Sequence, residues 1–343
     1  MIKKFLLIIF LISTGGVLTS FDKPVPKQKS LKTIIIDAGH GIMPNGGHNG
    51  AKGSYSYEDD ICLAVSLKLV DMIRAELPDI NIVQTRTGNE IVPLHERANI
   101  ANRNKGDLFI SIHANAAPPI QHREFLGYRS MKVYVGKGKK KHRVTKKVAE
   151  YRYYTTPNPQ HGTETYIWGS HKNEDKEVAV RENAPMLSEE NFEQNYGPID
   201  PNSPEFIALS LLKTKQFFKR SATLASFVED QFFKVGRSSR GQKQRQVGIW
   251  VLQATAMPSV LVETGYVTNK EEEDYLNSPE GQQEIASCVT DALKTYIDWL
   301  EKQQQIGNEN TGNNDPKNRI PPTNNTRAFL EMIDQKEKAN QSK

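Results

Sequence analysis

Three short apolar runs constrain the fold of this chain more than any other feature. Residues 33–37, 108–112 and 260–262 are continuous in hydropathy and do not alternate. Runs of this kind suit strands buried on both faces, as in a parallel sheet covered by helices. Between the first two, residues 58–77 place Ile61, Ala64, Val65, Leu69 and Met72 or Ile73 on one helical face and stop at Pro78 and Asp79. Residues 80–85 then read as a strand and 94–102 as a helix. This strand–helix–strand–helix–strand order predicts an α/β domain: a twisted, mostly parallel sheet flanked by helices.

In open α/β sheets the ligand crevice lies beyond the carboxyl ends of the strands. His40 ends the stretch 33–40, in which the first apolar run breaks at Gly39, His113 follows the second, and Glu263 follows the third, while Glu58 opens the long helical stretch. Two imidazoles and a carboxylate suit zinc, and a further carboxylate outside that set can act as a base. The placement gives His40, Glu58 and His113 the ligand role and Glu263 the base role in a zinc hydrolase. The ligand spacings match no short metal motif, and a histidine at a strand end can equally be a hydrogen-bonded structural residue.

The chain begins with Lys3 and Lys4, a short apolar stretch over residues 5–12 and small residues at 13–20. This is the pattern of a secretory signal over residues 1–20, too short for a membrane span of about 20 apolar residues. The mature protein is therefore expected outside the cytoplasm, in the periplasm or cell wall, with no stable membrane span. The alternative is an uncleaved anchor. The formal charge of +5 is small for 343 residues, and a basic run at 137–147 carries much of it. Without a nucleic-acid fold motif, that run reads as a solvated loop or an anionic-surface contact, and no nucleic-acid partner is expected. Cys62 and Cys288 are too few for a disulfide framework and form no CxxC pattern.

Residues 31–301 read as one domain interrupted by a large insertion at 118–245. The insertion holds the basic run, an aromatic cluster at Tyr151, Tyr153 and Tyr154, two strands at 131–135 and 163–168, and a helix at about 204–235. The α/β rhythm resumes at 246–252 and 259–262, and a helix near 279–301 with Ile285, Val289, Ala292, Leu293 and Tyr296 at helical spacing closes it. Residues 302–343 are Gln-, Asn- and Pro-rich and are expected to be a disordered polar tail.

Five ordered blocks carry a family resemblance. They are Asp37-Ala38-Gly39-His40-Gly41, Glu58-Asp59-Asp60, Thr85-Arg86-Thr87 leading to residues 94–99, Ser111-Ile112-His113-Ala114-Asn115, and residues 258–266 around Glu263. Together they resemble the zinc N-acetylmuramoyl-L-alanine amidases (the type 3 amidase catalytic domain). The resemblance implies one Zn²⁺ on His40, Glu58 and His113 and catalysis by Glu263. It also implies cleavage of the amide joining the lactyl group of N-acetylmuramic acid to the stem peptide's L-alanine, in wall remodelling or daughter-cell separation.

The loop at 42–57 departs from the family's compact turn and carries an additional histidine, His48, expected to face solvent. His95 is expected on the surface, and Arg86 and Arg97 are expected to hold loops. In division-associated members an insertion at this position carries a helix whose acidic side chain occupies the open zinc position until an activator partner removes it. Residues 177–184 resemble the start of that segment, which makes Glu182 the candidate regulatory residue, beside its reading as one acid in a solvated stretch. A non-catalytic wall-binding module and a zinc peptidase acting on stem-peptide bonds are the competing readings.

Overall fold

In the computed structural model, which describes residues 31–168, 204–245 and 249–310, the apolar runs do form buried strands. β1 (Thr33–Ala38), β4 (Asn81–Gln84), β5 (Leu108–Asn115) and β10 (Ser259–Tyr266) run parallel. β8 (Thr163–Trp168) joins β10 antiparallel, and β9 (Ser239–Arg245) lies parallel to β8, giving the order β4-β1-β5-β10-β8-β9. Every residue of β5 and β10 is buried, which accounts for their unbroken hydropathy.

Strand alternation divides the core into two layers. Ile34, Ile36, Ile110, Ile112, Val260 and Val262 face a layer built from α1 (Glu58–Glu76), α3 (Pro204–Lys234) and α6 (Pro279–Asn310). Ile61, Val65 and Leu69 of α1, Leu224 and Val228 of α3, and Val289 and Leu293 of α6 fill that layer. Ile35, Phe109, Tyr166 and Leu261 face the opposite way, against Ala101 of α2 (Leu94–Arg103), Val251 and Leu252 of α4 (Trp250–Ala254), and Met257. A small ribbon, β2 (Gly41–Ile42) with β3 (His48–Asn49), follows β1, and α5 (Lys270–Asn277) follows β10.

The stretch at 118–245 is not a separate insertion throughout. Its β8 and β9 complete the sheet, and the buried residues of α3 belong to the main core. Among its described residues, what projects from the body is a hairpin, β6 (Ile120–Val135) with β7 (His142–Thr156), far longer than the single strand at 131–135 expected from sequence. The expected element at 246–252 also differs: the strand lies earlier, at β9, and residues 250–254 are helical. Helix α6 runs to Asn310, so the first residues of the expected tail, 302–310, are helical. Cys62 and Cys288 are both buried and no disulfide joins them; burial pushes the Cys288 thiol up to about 12. The expected signal segment at 1–20, Glu182 and residues 311–343 lie outside the described residues.

Candidate metal centre and active site

Past β1 the chain turns sharply through Gly39 and His40, and His40 sits at φ +58. For a residue with a Cβ this left-handed conformation costs roughly 1–2 kcal/mol, so something must hold it. Two buried arginines do. Arg97 donates to the carbonyls of His40 and Ala38, both at 2.5 Å, and Arg86 donates to the carbonyls of Ala38 at 2.9 Å, Gly39 at 2.7 Å and Asp59 at 2.8 Å. Three successive carbonyls are thereby captured, which is the loop-holding role expected of these side chains.

Asp37 anchors the clamp, accepting from Arg97 Nη1 at 2.7 Å and from the Thr85 and Ser111 hydroxyls at 2.6 Å each. Burial alone would raise its carboxyl, but Arg97 and the two hydroxyls outweigh it and hold Asp37 below the usual carboxylate range.

Glu58 is the first residue of α1, where the helix dipole favours a negative charge. Fully buried, its carboxylate accepts the Ala51 N–H at 2.7 Å and the Ala114 N–H at 3.1 Å. The loop leading to it is pinned from a distant part of the chain. Glu273 of α5 accepts the Tyr55 N–H at 2.9 Å, the Ser56 N–H at 3.0 Å and the Ser56 hydroxyl at 2.9 Å.

His40 Nε2, Glu58 Oε1 and His113 Nδ1 converge. His40 Nε2 is 3.0 Å from Glu58 Oε1, His113 Nδ1 is 3.1 Å from His40 Nε2, and His113 Nδ1 is 3.2 Å from Glu58 Oε1. Zinc with bonds of about 2.0–2.1 Å in tetrahedral geometry sets neighbouring ligand atoms about 3.3 Å apart, so this triangle fits the ion. The chemistry of the donor set agrees. The His40 Nδ1 lies 2.8 Å from Asn49 Oδ1, which can only accept, so the His40 proton belongs on Nδ1 and the Nε2 lone pair faces the triangle. Two glycines make room for the rings. A Cβ on Gly39 would lie 2.5 Å from His113 Cε1 and Nε2, and one on Gly50 would lie 2.8 Å from His40 Cγ.

Glu263 is fully buried on β10 and pairs in register with His113, so both side chains leave the sheet on the same face. The next strand pairs Glu164 with Glu263, which extends the row of chemistry-bearing side chains to His113, Glu263 and Glu164. Glu164 accepts from Arg240 Nε at 2.5 Å, from Asn115 Nδ2 at 3.3 Å and from the Tyr266 hydroxyl at 3.4 Å, and also from the Tyr166 hydroxyl. Burial, with Glu164 nearby, pushes the Tyr266 phenol well above its ordinary value, so it stays protonated. Lys52, Asn115, Glu164, Arg240 and Tyr266 line a cleft of about 560 Å³ at this end of the sheet.

His40, Glu58, His113 and Glu263 are thus brought to one rim. His48 is not part of the triangle. It sits 2.9 Å from Asp59 Oδ1 and stacks on Tyr57 at 3.8 Å, only partly exposed where solvent-facing placement was expected. His95 is half-buried on α2. Sequence reasoning missed Asn49, Glu164, Arg240 and Glu273. A polar residue two places into β8 of a mostly parallel sheet was the one available signal for Glu164.

The N-acetylmuramoyl-L-alanine amidase family model matches residues 34–295. The Escherichia coli K12 protein N-acetylmuramoyl-L-alanine amidase AmiA is 26% identical over 285 residues, covering 82% of this chain and 82% of its own length. Amidase AmiC of Escherichia coli O6:H1 is 28% identical over 270 residues, 77% of this chain and 52% of its own. Among solved structures, the N-acetylmuramoyl-L-alanine amidase from Clostridium difficile 630 aligns at a TM-score of 0.48 and 21% identity, over 78% of this chain and 98% of that one.

Proposed function

The chain belongs to the N-acetylmuramoyl-L-alanine amidase family, and from that premise we propose which of its residues perform the family's reaction. It is a peptidoglycan hydrolase that cleaves the amide between the lactyl group of N-acetylmuramic acid and the L-alanine of the stem peptide. We assign His40, Glu58 and His113 as the ligands of one Zn²⁺ and Glu263 as the catalytic carboxylate. The convergence of three donor atoms within 3.2 Å, beside a glutamate matched in register to His113, carries this assignment.

Bound there, zinc supplies Lewis-acid polarisation of the scissile carbonyl and lowers the pKa of water to about 7. Glu263 takes a proton from the attacking water and delivers it to the departing nitrogen of L-alanine. Asn49 keeps the His40 proton away from the ligand side of the ring. Arg86 and Arg97 hold the strained turn that aims His40. The cleft of about 560 Å³ lined by Glu164 lies beside the row of His113 and Glu263 and is where we place the stem peptide.

We place the enzyme outside the cytoplasm, in wall remodelling or daughter-cell separation, on the signal-like residues 1–20. No helix among the described residues is long and apolar enough to cross a membrane. Regulation by Glu182 and an activating partner rests on the resemblance of residues 177–184 alone; higher basal turnover in Glu182→Ala is its test.

Digestion of purified peptidoglycan by the mature chain, with and without zinc and beside Glu263→Ala, tests the main assignment. Zinc-dependent release of stem peptides beginning at L-alanine, lost in the variant, is expected. Cleavage within the stem would make the protein a peptidase, and intact polymer with a zinc-loaded chain would favour the binding-module reading.

A further inference from the structure

The amidase reading leaves the β6–β7 hairpin without a role. Residues 120–156 hold eleven Lys or Arg and two acids, a formal +9 against +5 for the whole chain, so the rest of the molecule is net acidic. At about 3.3 Å per residue its strands form an arm roughly 50 Å long. The arm rises from the cleft beside the site assigned to cleavage. β6 begins five residues after Asn115, β7 leads into β8 and Glu164, and Pro118, Pro119, Asn158 and Gln160 at its base line the cleft.

The pairing register, with its shift between Phe125 and Gly127, sorts the arm into two unlike faces. One carries Arg123, Phe125, Tyr128, Lys132 and Tyr134 from β6 and Arg143, Lys147, Tyr151 and Tyr153 from β7. The contacts agree with this sorting: Arg123 lies over the Tyr151 ring at 3.6 Å, Phe125 meets Tyr128 and Tyr151, and Arg143 lies over Tyr134 at 5.2 Å. Among these side chains Tyr128, Tyr134 and Tyr153 are 65–71% exposed. Both acids, Glu124 and Glu150, lie on the other face, together with Met131, Val133, Val135, Val144 and Val148, the cations Arg129, Lys146 and Arg152, and the stacked pair His122 and Tyr154.

We propose that the acid-free face is a docking arm for the anionic glycan–peptide polymer that the active site cuts. This rests on the amidase reading and names a second contact with its substrate, remote from the scissile bond. Ring faces stack on sugar rings, and the interleaved cations meet the carboxylates of the stem peptides. A lipid surface would take an apolar insertion face beside cations; the face that holds the aliphatic side chains carries Arg129, Lys146 and Arg152 but also both acids, which an anionic lipid surface repels. An aromatic and basic ribbon also suits a single-stranded nucleic acid, yet the arm opens beside the site assigned to peptidoglycan cleavage. Its effect is to raise the polymer's local concentration at that site.

The test uses the full chain carrying Glu263→Ala, so that the polymer is not consumed, pelleted with insoluble peptidoglycan. Two pairs of substitutions remove equal charge: Lys132→Gln with Lys147→Gln on the proposed face, and Arg129→Gln with Lys146→Gln on the other. The first pair should weaken binding about threefold to tenfold, and the second by less than about twofold. Rising salt should weaken the unsubstituted arm in the same direction. With Glu263 intact, both pairs should leave hydrolysis of a small soluble muropeptide unchanged. Equal losses from both pairs, loss from neither, or preference for phosphatidylglycerol vesicles or single-stranded DNA over the polymer would each overturn the proposal. Failure to cleave the soluble muropeptide at all would instead count against the amidase reading, because the binding measurement needs no turnover.

Discussion

Gly39→Ala isolates the geometry on which the metal assignment depends. Gly39 does not need a left-handed backbone, so alanine is conformationally tolerated there, and only the added Cβ matters. That atom would stand 2.5 Å from His113 Cε1 and Nε2 and 2.8 Å from Cδ2. Ordinary carbon contacts begin near 3.5 Å, so the ring must retreat by about 1 Å. The triangle has edges of only 3.0–3.2 Å, so a retreat of that size takes His113 Nδ1 out of bonding range of an ion held by the other two. The overpacking itself costs about 1–3 kcal/mol of stability. Displacing one of three protein ligands should weaken zinc by at least about 100-fold, beyond the roughly 10–100-fold typical of losing an orienting partner. Chelator competition on the purified variant measures this, and thermal melts with and without zinc should show the zinc-induced rise in Tm shrinking. Gly46→Ala in the same region is the control. Gly46 sits at φ +81 with nothing within 4 Å of a built Cβ, so that variant should lose roughly 1 kcal/mol of stability and keep its zinc affinity. If Gly39→Ala binds zinc within about twofold of the parent, the triangle is not the metal site.

Three further outcomes follow from the same contacts. Asn49→Ala frees the His40 tautomer and should weaken zinc by about 10–100-fold in the chelator assay, whereas Asn49→Asp, which still accepts from Nδ1, should retain it; equal loss in both would refute the orienting role. Arg97→Met leaves Asp37 buried without its cation and releases the His40 carbonyl, at a cost of about 3–5 kcal/mol by denaturant titration. A change below about 1 kcal/mol would show that the strained turn holds itself. Glu229 accepts from Thr163, Thr165 and Ser239, yet burial, partly opposed by those hydroxyls, raises its carboxyl above the ordinary 4.5. Because the folded value is the higher one, its contribution is fully present below pH 4.5 and is lost as pH rises through the folded pKa. Glu229→Gln should flatten that decline in a pH series of melts, and an unchanged slope would refute it.

Much of the candidate site was legible because each of its parts has a local signature. His40, Glu58, His113 and Glu263 border continuous apolar runs or open an amphipathic helix, and strand burial writes itself into hydropathy without knowledge of any partner. The boundaries were less legible. β5 and β10 continue through His113 and Glu263, since a buried polar residue within a strand breaks the hydropathy pattern while its backbone keeps pairing. The stretch at 118–245 read as an insertion because α3, β8 and β9 are separated by a long sequence of different composition, although they pack as part of the main domain.

By itself, the sequence determined which residues could bind a metal, their order along the chain, and the buried parallel strands that deliver them to one end of a sheet. Only the tertiary structure decided that Asn49 would orient His40, that Gly39 would lie under the His113 ring, and that Glu273 would pin a loop some 220 residues upstream. It also decided that both acids of the hairpin would lie on one face, leaving the other with cations and rings and no acid. Periodicity reports how each element meets solvent or core. Which distant side chains then meet at 3 Å depends on register and packing between elements, and no single element encodes that.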